Sequence, residues 1–171
     1  MKKLLLTITF LLSSFYFVNA QTTLIGAETF HVQLPQNFTR AIGVNNLASV
    51  QWEHAEKEIY GYIIFENTDE MKLADLSISL KEYSDMCLND FNEIEKYQLI
   101  KSETYKTKSG KETISNKISY YNSDLETTIV MQINAYKTQN FYYKVIQFGD
   151  QSSFDLGEKE IKYISEEIKL P

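Results

Sequence analysis

The stretch "FHVQLPQNF", residues 30 to 38, alternates apolar and polar side chains and then reaches a proline. Successive side chains of a strand point to opposite faces, so Phe30, Val32 and Leu34 share one face and His31 and Gln33 the other. Pro35 has no N–H to give a ladder and ends the strand; Pro-Gln-Asn makes a turn, and Phe38 folds back over the same core. This reads as the first strand of a globular domain. A second extended piece, "LASVQWEH", presents Ala48, Val50 and Trp52 together. A third, "EIYGYIIFEN" from Glu58 to Asn67, is a strong strand of aromatic and β-branched residues.

The period then changes. Leu80, Tyr83, Cys87 and Phe91 recur at three- and four-residue steps, Met86 and Leu88 widen the stripe, and Ser79 followed by Glu82 is a capping box. One amphipathic helix is predicted from Leu80 to Ile94. Four strands follow, "YQLIKSETYKT", "ETISNKISYYN", "ETTIVMQINAYKT" and "FYYKVIQFGD", joined by connections too short for crossovers, which makes an antiparallel meander. Last, "GEKEIKYISEEIKL" puts Ile161, Ile164 and Ile168 on one helical face, with lysines and glutamates on the other. The predicted order is β-β-β-α-β-β-β-β-α, and the class α+β: an antiparallel sheet covered by helices in two or three layers.

Ahead of these elements stands "MKKLLLTITFLLSSFYFVNA". A basic start, an apolar run too short for a comfortable membrane span and Val18-Asn19-Ala20 at its end predict a signal peptide over residues 1–20, cleaved after Ala20. No cysteine stands at the junction to carry a lipid. Residues 21–171 are then a single domain, exported to the periplasm or beyond, with no membrane insertion after cleavage. Loss of Lys2 and Lys3 takes the 17 basic residues to 15 against 23 acidic ones, and the formal charge from −6 to −8. Such a surface repels phosphate backbones and anionic lipid, which argues against nucleic acid as a partner.

Candidate chemistry is sparse. His54 and Glu56 can share a strand face and contribute to a metal site, but no HExxH is present and no second histidine lies at ligand spacing, so a solvated, charged strand end is the simpler account and no metal is expected. His31 faces away from the apolar trio and reads as a surface or second-layer residue. Cys87, the single cysteine, could act as a nucleophile or an intermolecular bridge, but the helix stripe points it inward as a small apolar residue. No GxSxG elbow, glycine-rich phosphate loop or EF-hand spacing is present, so neither an enzyme nor a cofactor is expected. Asn37-Phe38-Thr39 matches a glycosylation acceptor by chance. The one excess is aromatic. Of 12 tyrosines, all but Tyr16 lie after the leader, and Tyr120, Tyr121, Tyr136, Tyr142 and Tyr143 sit in the meander. They are the candidate binding surface; the alternative is that they fill a sheet–helix core.

Phe30, Val32, Leu34, Pro35 and Phe38, two further strands, a helix, a meander ending in "FYYKVIQF" and an amphipathic last helix together resemble the PsbP-like superfamily, which includes DcrB-type envelope proteins and Mog-type proteins. The resemblance implies an α/β/α sandwich on a central antiparallel sheet, and no shared catalytic residues. It also implies an exported, protein-interacting or envelope-associated domain; the first expectation is a non-catalytic binding or accessory domain of the bacterial cell envelope that contacts a protein or peptide partner along a sheet edge or the tyrosine-bearing meander. The alternative is a carrier for a small apolar ligand held between sheet and helix; a hydrolase or metalloenzyme using His54 or Cys87 ranks third.

Overall fold

A computed structural model describes residues 22–26 and 30–171. The leader expected over residues 1–20 lies outside the described residues. Nine strands and three helices are found among the described residues: β1 (Thr22–Ile25), β2 (His31–Leu34), β3 (Thr39–Arg40), β4 (Val50–His54), β5 (Ile59–Asn67), α1 (Thr68–Leu73), α2 (Leu80–Asn89), β6 (Gln98–Lys106), β7 (Glu112–Asn122), β8 (Thr127–Lys137), β9 (Phe141–Asp150) and α3 (Gln151–Glu167). None of these helices is long and apolar enough to cross a membrane.

β3 to β9 form one antiparallel sheet in the order β3-β4-β5-β9-β8-β7-β6. The meander β6 to β9 is as the pattern predicts, and β9 then inserts beside β5, from Tyr60 opposite Phe148 to Asn67 opposite Phe141. One face of the sheet carries α3 and buries Trp52, Ile59, Ile63, Tyr136, Tyr143, Val145, Phe154, Ile161 and Ile164. The other carries α1 and α2 over Tyr83, Cys87, Ile118, Met131, Ile133, Tyr142 and Ile146. The architecture is α+β, an α/β/α sandwich.

Five expectations shift. The strand at His31–Leu34 is not the first and does not join the main sheet. It pairs with β1, Thr22 opposite Leu34 through Ile25 opposite His31, in a separate hairpin. β1 reads Thr-Thr-Leu-Ile, with only Leu24 buried, and so lacks the alternation that marks a half-buried strand. Phe30, Val32 and Leu34 do share the buried face, and His31 exchanges backbone hydrogen bonds with Lys169 at 2.9 and 3.0 Å, fixing the hairpin to the chain after α3. A helix the periodicity misses, α1, spans only six residues, capped by Asn67, whose side chain accepts from the Asp69 N–H at 2.8 Å. α2 has the expected capping box, Ser79 with Glu82, but stops at Asn89, because Asn and Asp favour local turns over helix continuation. α3 begins six residues earlier than the "GEKE" start, at Gln151, where Asp150 caps it by accepting from the Ser153 N–H at 2.7 Å. Ile168 is buried, as its spacing predicts, but sits just beyond the helix in extended backbone.

Two glycines set how closely the layers approach. Gly61 lies directly opposite Trp52, and a Cβ there would fall 2.4 Å from the indole ring. Gly157 of α3 would meet Ile59 Cδ1 at 2.0 Å.

Candidate functional site

The apolar stripe of α3, Phe154, Ile161 and Ile164, docks the helix over β9, β8, β5 and β2. It does not reach the outermost strand. β6 is exposed at eight of its nine positions, and between it and α3 lies an open groove of about 440 Å³. One end of this groove is closed by the β6–β7 turn: the Lys108 N–H donates to the Glu166 carbonyl at 2.9 Å, Ser109 Oγ donates to the Ile168 carbonyl at 3.2 Å, and Lys108 pairs with Glu167.

The groove has a polar floor. Gln132 on β8 donates from Nε2 to Ser115 Oγ on β7 at 3.2 Å and to Asn134 Oδ1 at 3.3 Å. Behind these runs a buried layer centred on Ser165 of α3. Asn134 Nδ2 donates to its Oγ at 3.0 Å, Gln147 Nε2 does so at 2.8 Å, and Tyr136 Oη donates to its carbonyl at 3.0 Å. Gln147 also donates to the Ile161 carbonyl at 3.0 Å, while its Oε1 is buried with no hydrogen-bond partner among the described residues. Such a layer holds helix to sheet only where every donor meets an acceptor.

The walls are charged. Lys101 pairs with Glu103 on β6 at 2.7 Å, Lys117 with Glu158 at 3.1 Å and Lys162 with Glu166 at 3.7 Å. Lys117 also lies over the Phe154 ring, 4.8 Å from its centroid. Tyr105 completes the lining; burial pushes its phenol up to about 12, so it stays a neutral hydrogen-bonding group at ordinary pH.

The five tyrosines singled out by the sequence do not form one surface. Tyr136 and Tyr143 are buried under α3, and Tyr142 is buried under α2, where its ring lies 4.6 Å from that of Tyr83 and its Oη donates to the Ile78 carbonyl. Neighbours along a strand face opposite ways, and the large rings fill both cores. Tyr120 stacks on Phe91 at 6.1 Å, and Tyr121 sits under Lys96 at 4.1 Å; both are half-buried.

His54 is not a solvated strand end. It is 3 % exposed, edge-on to Phe38 at 5.0 Å, with Nδ1 accepting from the Lys57 N–H at 3.4 Å, whereas Glu56 is exposed in the following turn. Phe38 caps the aromatic core on that side. Cys87 is buried as its helix position predicts, on the opposite face of the sheet, and burial raises its thiol to about 12. A neutral, enclosed thiol with the sheet between it and that imidazole is not assembled as a nucleophile. No cluster of three His, Cys, Asp or Glu side chains able to hold a metal is found among the described residues.

A second concavity, also of about 440 Å³ and shallower, lies where α1 meets α2 and the ends of β5 and β9. It is lined by Phe65, Met71, Leu76, Met86 and Phe141, with Glu66 and Glu70 at its rim.

The pattern does not single out the groove residues, because the charged face of α3 reads as ordinary solvated surface. A usable signal was nonetheless present: "QLIKSETYK" shows no two-residue alternation, as a strand uncovered on both faces should.

No family model matches the chain, and no curated protein matches it in sequence. Solved structures do match. LpqN of Mycobacterium tuberculosis, involved in cell envelope biogenesis, superimposes with a TM-score of 0.64 at 8% identity, over 88% of this chain and 90% of LpqN. Cyanobacterial PsbP (CyanoP) of Synechocystis sp. PCC 6803 gives 0.59 at 8% identity, over 92% and 96%. PA94 of Pseudomonas aeruginosa, a protein of unknown function, gives 0.52 at 9% identity, over 88% and 96%. These superpositions, each over nearly nine-tenths or more of this chain, show that it shares the fold of LpqN, CyanoP and PA94.

Proposed function

We propose that this chain is an exported, non-catalytic accessory domain of the bacterial cell envelope, and that it binds a protein or peptide partner in the groove between α3 and β6. The observation that carries the reading is the contrast between the two sheet edges. β3 has two residues, while β6 is nine residues long, exposed, and borders an open polar groove. Long free edges are surfaces to which another chain can add. The leader pattern and the envelope role of LpqN favour the compartment. A photocrosslinking residue placed at Ser102 or at Lys159, both exposed, should yield a discrete adduct in envelope preparations of the host, and one at Thr39 on the other edge should not. Adducts at all three positions alike, or at none, would sink the reading.

The second reading, a carrier for an apolar ligand, is favoured by one observation, the apolar notch lined by Met71, Leu76 and Met86. Native mass spectrometry of freshly purified protein separates the two, since a carrier retains added mass.

A further inference from the structure

The groove has a charge of its own. It gathers five lysines against three glutamates, a local excess of two positive charges, in a chain of formal charge −6. Three of the lysines are ion-paired, as described above, which leaves Lys106 and Lys159 with no such partner among the described residues. Both are exposed.

Beside these cations runs a half-used ladder. β7 occupies one side of β6, from Lys101 opposite Lys117 to Lys106 opposite Glu112, and β6 ends the strand order. A bulge between Leu99 and Lys101 makes residues 101 to 106 the regular stretch. Bulges and edge lysines are the ordinary means by which a sheet turns strands away. The lysine part of that guard is selective. A neutral or basic strand must desolvate or confront the ammonium groups, whereas an acidic one is attracted to them. A glycan or inorganic polyanion could meet the lysines but has no backbone to continue the ladder.

Resting on the partner site proposed above, we infer that the occupant is an acidic, extended polypeptide segment. It adds to Lys101–Lys106 as an eighth strand and turns every second side chain, a carboxylate, into the groove toward Lys159, while Lys106 stands at the end of the edge it joins.

Fluorescence anisotropy with the purified protein tests this using three labelled synthetic peptides: one alternating Thr and Glu, one alternating Thr and Lys, and the Thr/Glu peptide N-methylated at alternate backbone nitrogens. The Thr/Glu peptide should bind, and bind more weakly as salt rises. The Thr/Lys and N-methylated peptides should each bind at least about tenfold more weakly. K159E, at an exposed helix position that leaves the core untouched, should weaken the Thr/Glu peptide and strengthen the Thr/Lys one. Equal binding of the Thr/Glu and Thr/Lys peptides overturns the acidic specificity, and equal binding of the methylated peptide overturns strand addition. If none binds while crosslinks from Ser102 persist, the inference fails and the partner site stands; loss of the crosslinks removes both.

Discussion

The space under α3 has two ends built on different principles. Toward β4, β5 and β9 it is closed by Trp52, Ile59, Ile63, Val145 and Phe154, and the glycines at 61 and 157 remove the side chains that would hold the layers apart. Toward β7 and β6 the inward positions become Ser115, Lys117 and Gln132, and the helix answers with Glu158, Lys162 and Glu166. Between the two runs the layer of Asn134, Gln147 and Ser165. Apolar surface closes because expelling water from it is favourable; polar side chains close only where each finds a partner, and otherwise keep water. The opening of the groove therefore follows from residue type along β6, β7 and β8. The helix, at 17 residues, is long enough to cover more.

The comparison breaks most visibly at the closed end. Trp52→Ala should cost about 3 kcal/mol in denaturant unfolding, the low end for a buried aromatic. The low end applies because Trp52 Nε1 is buried without a hydrogen-bond partner among the described residues, so truncation also removes an unfavourable group. Trp52→Phe should recover more than half of that loss. A cost below about 1 kcal/mol for Trp52→Ala would mean that this end is not tightly packed.

At the boundary, Ser165→Ala should cost about 1–3 kcal/mol, because it strands the Asn134 amide in the interior. Gln147 keeps its bond to the Ile161 carbonyl and Tyr136 its bond to the backbone at 165, so the layer thins without collapsing. A neutral result would show that the polar layer does not join the two ends.

A smaller effect belongs to the start of α3. Hydrogen bonds from the Ser153 backbone N–H, first, and from the Ser152 hydroxyl hold the Asp150 carboxyl below its ordinary range. Its folded pKa is thus lower than its unfolded one. The stabilisation is complete above the usual aspartate value of about 3.9 and is lost as pH falls through the depressed folded value. Asp150→Ala should cost about 1 kcal/mol at neutral pH, the ordinary worth of a helix cap, and the deficit relative to the native protein should vanish in acid. Thermal melts across that range measure it.

How much of this was legible follows from where water touches the chain. Strands with one or two buried faces announced themselves: Val50 and Trp52, Ile59 to Phe65, and the inner meander alternate or run apolar. The capping box at Ser79 and Glu82 was legible because it is a local bond between residues three apart. α1 was not, since six residues hold too few turns to show a period. Nor could pattern alone tell that Val32 and Leu34 pack from a separate hairpin, because an alternating strand looks the same in either sheet. The site was the least legible part. Its lysines and glutamates come from β6, β7 and α3, and only the return of the chain over the sheet brings them together. The tyrosines drew attention by number, yet a large aromatic in a meander is more useful inside than out, as Tyr136 and Tyr143 illustrate.

The smallest expected effect is the one that sharpens the comparison most. Lys106→Ala and Lys159→Ala should each leave the unfolding free energy within about 0.5 kcal/mol of the native protein, since both side chains are exposed and neither has an ion-pair partner among the described residues. Trp52, at the other end of the same layer, stands at the opposite extreme. A groove shaped only by the demands of folding would show its cations contributing to stability; cations that contribute nothing to it are free to be selected for what they meet. Should either lysine prove worth more than about 1 kcal/mol in a melt, the open end is as structural as the closed one, and the distinction between them loses its functional meaning.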